Sequence, residues 1–122
     1  MVTRRRRRDL AERIRPAPER GPSRLRFIAF FEDDVDPATL DADLNRRHFD
    51  YLAERPEAIV LAGGLRDDAG APFCGTLWIM EAPDKAGAIA LVEGDPYTQA
   101  GLRPRYRVLA WGKAPHFGAV TL

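Results

Sequence analysis

The chain has 122 residues, 45% hydrophobic and 30% charged, enough for one modest core and too little for two. Its single cysteine, Cys74, excludes an intrachain disulfide and an all-thiolate zinc site, and no apolar run approaches the ~20 residues needed to span a bilayer. The net charge of +1 conceals a division: residues 1–24 carry nine arginines against Asp9, Glu12 and Glu19, a surplus of +6, whereas the remainder carries ten Lys/Arg against fifteen Asp/Glu, or −5.

Residues 1–24 hold Arg4 to Arg8, Pro16, Pro18, Gly21 and Pro22, with only Leu10 and Ile14 as large apolar groups. Such a segment buries too little surface to offset its ordering entropy, so a flexible basic arm is expected ahead of a single domain over 25–122. The arginine run suits an anionic polymer. A solvated tail is the plainer reading, and the absence of interleaved aromatics argues against nucleic acid as the partner. No apolar segment of secretory type follows the arginines, so a cytoplasmic protein is expected.

Leu25–Phe31 reads as a first strand, nearly continuous in apolar residues. Asp36-Pro37 is a helix-start pair, predicting a helix from about Pro37 to Arg55, ended by Pro56. Leu40, Leu44, His48, Tyr51 and Leu52 fall on its inward stripe. Ala58–Leu65 and Phe73–Glu81 predict a hairpin with a long loop, in which Cys74 reads as a buried small hydrophobe. Pro83 is expected to open a second helix to Glu93, with Ala86, Ile89, Ala90 and Val92 as its apolar surface, ended by Gly94. Asp95-Pro96 can cap a short helical turn over Tyr97–Gly101, and Arg105–Trp111 forms the last strand.

Strand, helix, strand, strand, helix, strand predicts a ferredoxin-like βαββαβ α+β fold, an antiparallel sheet with both helices on one face. The strands are too apolar to leave the other face wet. A second subunit's sheet is the expected cover, giving a homodimer to which the apolar tail His116–Leu122 contributes.

A histidine among leucines on an inward helix face needs a buried polar partner, and Asp95 is the candidate for His48. Imidazole is the side chain best suited to moving protons near neutral pH, and a carboxylate fixes its tautomer. A structural reading competes: a core His48 bonded to a backbone carbonyl, and an Asp95 that only caps its turn. Gly63 and Gly64 either admit a ligand close to the backbone or mark a bulge. Tyr97 offers a hydroxyl to a substrate oxygen or packs with its OH at the surface. Arg46 and Arg47 suit an anionic substrate or simple helix-surface solvation. No metal site is expected, because His48 and His116 lack ligand spacing and Asp33, Asp34 and Asp36 lack the glycine and distal glutamate of a calcium loop.

Arg47-His48-Phe49-Asp50-Tyr51-Leu52, Ala62-Gly63-Gly64, Asp95-Pro96-Tyr97, Ala100-Gly101-Leu102 and Val108-Leu109-Ala110-Trp111 occur in one order and spacing. In these the chain, from Leu25 to about Lys113, resembles the YCII-related (YciI-like) proteins, small dimeric ferredoxin-like domains similar to muconolactone isomerases and other dimeric α/β-barrel proteins. The arginine arm departs from that pattern. The resemblance implies that His48 and Asp95 form the acid/base pair; Arg47, Gly63, Gly64 and Tyr97, on the reading of the residues themselves, are the candidates to meet a small-molecule substrate. Members include a dehydrochlorinase of chlorinated hydroxyhydroquinones. The function expected is thus cofactor-independent elimination or isomerisation of a small cyclic oxygenated compound, of lyase, isomerase or dehydrochlorinase type. A ligand-binding module without catalysis and an anionic-polymer binder acting through the arm are the rivals.

Overall fold

The computed structural model describes residues 24–33 and 35–119; apart from Arg24, the expected arm lies outside the described residues. The elements are β1 (Leu25–Phe31), α1 (Ala42–Ala53), β2 (Ile59–Arg66), β3 (Phe73–Ala82), α2 (Lys85–Glu93), the short α3 (Pro96–Gln99) and β4 (Tyr106–Ala110). The strands form one sheet in the order β2-β3-β1-β4 with every pairing antiparallel. Each helix carries the chain between strands that are not neighbours, which is the ferredoxin-like α+β arrangement. No helix among the described residues is long and apolar enough to cross a membrane.

The two-residue period of a strand assigns the faces. Phe27, Ala29 and Phe31 of β1 point to the helices together with Trp78, Met80 and Ala82 of β3, and all six are buried. Ala29 is opposite Trp78 on one side and Val108 on the other, so the smallest side chain of the central strand adjoins the largest in the core. An extra residue at Val60 shifts the β2–β3 register, and this bulge lets Ile59 and Ala62, three apart, share the inward face. The opposite face carries Ile28, Phe30, Leu77 and Ile79, with Leu61 and Leu109 exposed.

The first helix differs from expectation. Asp36 does accept a hydrogen bond from the Ala38 amide, but the helix it starts is a 3-10 turn over Pro37–Thr39 that ends at an extended Leu40. The α-helix begins five residues later, where the Asp41 carboxylate accepts from the Leu44 amide at 3.0 Å. Two competent caps in one segment divide it, and the Asn45 side-chain amide ties the parts by donating to the Pro37 carbonyl at 2.7 Å. Likewise Asp84, not Pro83, starts α2 by accepting from the Gly87 amide at 2.8 Å. The buried face of α2 is Ala88 and Val92, one turn apart, while Ala86 and Ala90 are exposed. Cys74 is exposed rather than buried; it sits at the loop end of the hairpin, where every residue from Arg66 to Gly70 is exposed.

Gly94 ends α2, as its position predicts, but with an ordinary helical φ of −81°. What requires glycine there is space. A Cβ at 94 would lie 2.5 Å from the Tyr51 hydroxyl, which donates to the Leu91 carbonyl at 2.7 Å and joins α1 to α2. Gly94→Ala is therefore expected to lower unfolding free energy in urea by about 1–3 kcal/mol through crowding and loss of that bond. Gly112→Ala, with nothing within 4 Å, serves as the neutral control.

The tyrosines give a second test. Burial raises the phenols of Tyr51 and Tyr97 above the ordinary 10.0. Burial, followed by the hydrogen bond to Glu93, pushes Tyr106 up to about 12. A folded-state value above the unfolded one means the fold favours the neutral phenol. This contribution to stability is complete below pH ~10 and is lost as pH rises through about 12. Phenolate absorbance should therefore stay low at pH 10 in folded protein and rise only at higher pH, whereas a urea-unfolded sample ionises near 10.

Candidate functional site

Asp95 occupies the cap position of α3, yet its side chain makes no capping bond. Both carboxylate oxygens are engaged elsewhere. Oδ1 meets His48 Nδ1 at 2.6 Å, and Oδ2 accepts from Arg103 Nη2 at 2.6 Å. His48 is 5% exposed, Asp95 0% and Arg103 2%, so three ionisable groups form one buried chain. The reading of Asp95 as only a turn cap does not describe it, nor does a His48 bonded to a backbone carbonyl. An ionised carboxylate only accepts hydrogen bonds, so Nδ1 is the donor in this pair and Nε2 is the ring nitrogen left for other partners.

The helices that carry the pair set its geometry. α1 brings His48 inward at the position its leucine stripe predicts, and α3 packs against α1. The Tyr97 ring stacks on the imidazole with centroids 3.7 Å apart and planes 4° from parallel. The Tyr97 hydroxyl donates to Asn45 Oδ1 at 2.5 Å, so one residue per helix locks the ring stack. With its phenol value raised by burial, Tyr97 stays a donor at neutral pH.

Arg103 completes the cluster. Its guanidinium carbon lies 4.0 Å from the Phe31 ring centroid, 5.2 Å from that of Tyr97 and 5.8 Å from that of Trp78. Burial pulls its pKa below the ordinary range, and the Asp95 carboxylate offsets part of that effect. A carboxylate with no solvent exposure needs such a cation, because the desolvation cost of a lone buried charge is prohibitive. Two buried donors beside this cluster, Arg103 Nε and Trp78 Nε1, have no hydrogen-bond partner among the described residues. Each unmade bond of this kind costs ~1–3 kcal/mol.

The cluster borders a pocket of about 240 Å³, lined by His48, Tyr97, Arg103 and Trp78 on one side and by Phe49, Gly63, Gly64 and Phe73 among others. This is below the ~300–1,000 Å³ of drug-sized sites and suits a single-ring compound. Gly64 is the position where the Phe73 ring crosses the strand: a Cβ there would lie 2.3 Å from the ring. The Arg66 guanidinium carbon lies 3.9 Å from the centroid of the same ring, so a cation packs on the aromatic wall. A larger open cavity of about 520 Å³ by Arg24, Glu57 and Glu81 holds none of these groups.

Of the residues singled out from sequence, His48, Asp95, Tyr97, Gly63 and Gly64 converge here. Arg47 does not: it lies on the exposed side of α1 and donates to Asp43 Oδ2 at 3.1 Å. Asp33 is engaged by the Arg105 backbone and side chain, each at 3.0 Å, and the backbone bond first of all holds its carboxyl below the usual range. His116 lies in the exposed tail against Phe117. Among the described residues no three His, Cys, Asp or Glu side chains group as metal ligands would. Arg103, Trp78, Phe49 and Phe73 were not foreseen. For Arg103 the one available signal is that a buried Asp95 demands a cation, but Arg103, Arg105 and Arg107 are equal candidates in sequence.

No protein with a curated description matches the chain. Among solved structures it is similar to the 5-chloro-2-hydroxyhydroquinone dehydrochlorinase of Burkholderia phenoliruptrix AC1100, solved in complex with 2,5-dihydroxybenzoquinone. The identity is 25% and the TM-score 0.63, over 75% of this chain and 98% of that one. A dimeric ferredoxin-like protein of unknown function from Thermobifida fusca YX aligns at 17% identity and a TM-score of 0.40, over 74% of this chain and 91% of its own. The model of the YCII-related domain matches residues 26–112, and with most of its length inside that match the chain belongs to the YCII-related domain family.

Proposed function

We propose that the His48 pocket is the acid/base site of a small-molecule enzyme acting on a cyclic oxygenated compound. The observation that carries this reading is the buried His48–Asp95 pair at 2.6 Å, on an imidazole that also lines the pocket. With Nδ1–H donated to Asp95, Nε2 accepts a proton from a ring carbon or hydroxyl of the substrate. Asp95 keeps the ring oriented and faces the positive charge the imidazole then bears. The electron pair left behind either expels a leaving group from the adjacent ring position or is reprotonated elsewhere, giving elimination or isomerisation. Similarity to a dehydrochlorinase of a hydroxylated ring supports the same class.

A panel of chlorinated and unchlorinated hydroxyhydroquinones, other hydroxylated aromatics and lactones tests this. Wild-type protein is expected to turn over at least one member, and His48→Gln to lose about 10²–10⁴-fold in rate. Asp95→Asn should lose activity in the same range, assayed under conditions where circular dichroism shows it folded, because it also leaves the buried Arg103 charge unopposed at a cost of about 3–5 kcal/mol. Binding by wild type without conversion of any compound would favour a ligand-binding module instead.

The assembly is proposed to be a homodimer that covers the outer sheet face, where Leu61 is 52% and Trp111 48% exposed. Apolar exposure of this kind on a small domain marks an interaction surface. Sedimentation should give twice the chain mass for wild type and the chain mass for Leu61→Glu. A monomeric wild type refutes the assignment.

A further inference from the structure

We infer that Asn45 is a positioning residue of the His48 site, whose amide holds the Tyr97 ring against the imidazole and so fixes the plane in which Nε2 meets a substrate. This rests on the acid/base reading. Asn45 and His48 are three apart on α1, a spacing that puts both on one face. Tyr97 reaches across to the two of them. Its ring stacks on the imidazole with centroids 3.7 Å apart, and its hydroxyl donates to Asn45 Oδ1 at 2.5 Å.

Asp95 alone leaves the imidazole one freedom. It engages a single ring atom, Nδ1, and one hydrogen bond constrains the tilt of the ring about that contact only weakly. An aromatic ring lying 4° from parallel over one face removes the tilt, provided that ring cannot itself turn. Phe49 is no such backing: its plane stands 68° from that of the imidazole, and the residue is 51% exposed. Tyr97 is buried, and its far end is pinned by Asn45.

The amide is anchored in turn. Asn45 Nδ2 donates to the Pro37 carbonyl at 2.7 Å, and the same oxygen accepts from the Leu40 amide at 3.1 Å, which uses both of its lone pairs. A carbonyl cannot donate, so the NH2 group must face Pro37 and Oδ1 is left to accept from the phenol. Aspartate at 45 would lose the donation, and leucine both bonds. Pro37 itself lines the pocket with His48 and Tyr97, so one side chain ties the pocket rim to the imidazole plane. Alignment of a reacting nitrogen counts most in the transition state, where a displacement of about 1 Å can cost on the order of 10²-fold in rate. The loss of Asn45 therefore falls on kcat rather than on KM.

The test follows the Cδ2–H and Cε1–H proton resonances of His48 through a pH titration, so that stacking and protonation separate. In wild type they should lie upfield of their positions in urea-unfolded protein, because the imidazole lies in the shielding region over the phenol ring. Asn45→Leu, which removes both hydrogen bonds, should move them downfield at every pH. Tyr97→Phe, which keeps the ring and removes only the hydroxyl, should move them the same way. On a compound that wild type converts, each variant should lose about ten-fold in kcat with KM changed less than about two-fold. The double variant should be no slower than Asn45→Leu alone, since both changes break one link. Wild-type resonances in either variant, or moved resonances with an unchanged kcat, overturn the positioning role. If Asn45→Leu does not fold, Tyr97→Phe decides by the same resonances. A wild type that converts no compound counts against the acid/base reading, and the resonances still decide whether Asn45 holds the imidazole.

Discussion

The buried Asp95 carboxylate is the constraint around which the site is built. A carboxylate with no solvent exposure is tolerable only if both oxygens are satisfied and its charge is opposed. Arg103 supplies the opposing charge and His48 the second hydrogen bond. Those two demands fix three segments at once: α1 through His48, the turn into α3 through Asp95, and the approach to β4 through Arg103. Removing either partner leaves a buried charge that is incompletely paired, so the three residues stand as a unit.

That unit also shapes the cavity. Arg103 cannot be desolvated among apolar atoms alone, and it sits instead against the π-faces of Phe31 and Tyr97, with Trp78 nearby. The same rings belong to the core and the site: Phe31 packs on Trp78 at 5.3 Å, and Tyr97 stacks on His48. The pocket is thus continuous with the hydrophobic core rather than a groove laid over it. Its far wall follows from a different economy of space, since a strand without a side chain at Gly64 lets the Phe73 ring occupy the place a Cβ would need.

Much of this was legible in the residues. Strand periodicity, the hairpin and the order of elements lead directly to the ferredoxin-like topology, because few chain paths join six such elements without crossings. His48 stood out because an imidazole interrupts a leucine stripe. Helix starts were less legible. Asp36-Pro37 and Asp41 are both adequate caps; in the fold the first starts only a 3-10 turn, which Asn45 ties to α1 through the Pro37 carbonyl. On α2, alanines at 86, 88 and 90 are equivalent in hydrophobicity, and the rotation of the helix that buries Ala88 and Val92 is set by the sheet beneath it.

By itself the sequence determined the topology, the inward position of His48 and Asp95 as its candidate partner, since these depend on local period and on the small number of buried polar groups. Only the tertiary structure decided which arginine joins them. Arg103, Arg105 and Arg107 look alike along the chain, but the path out of α3 turns Arg103 toward Asp95, Arg105 toward Asp33 and leaves Arg107 exposed. Charge pairing acts through space at a few ångströms, and sequence separation carries no information about it. The same holds for the unpaired donors of Trp78 and Arg103, which exist as orphans only once the strands and helices close around them.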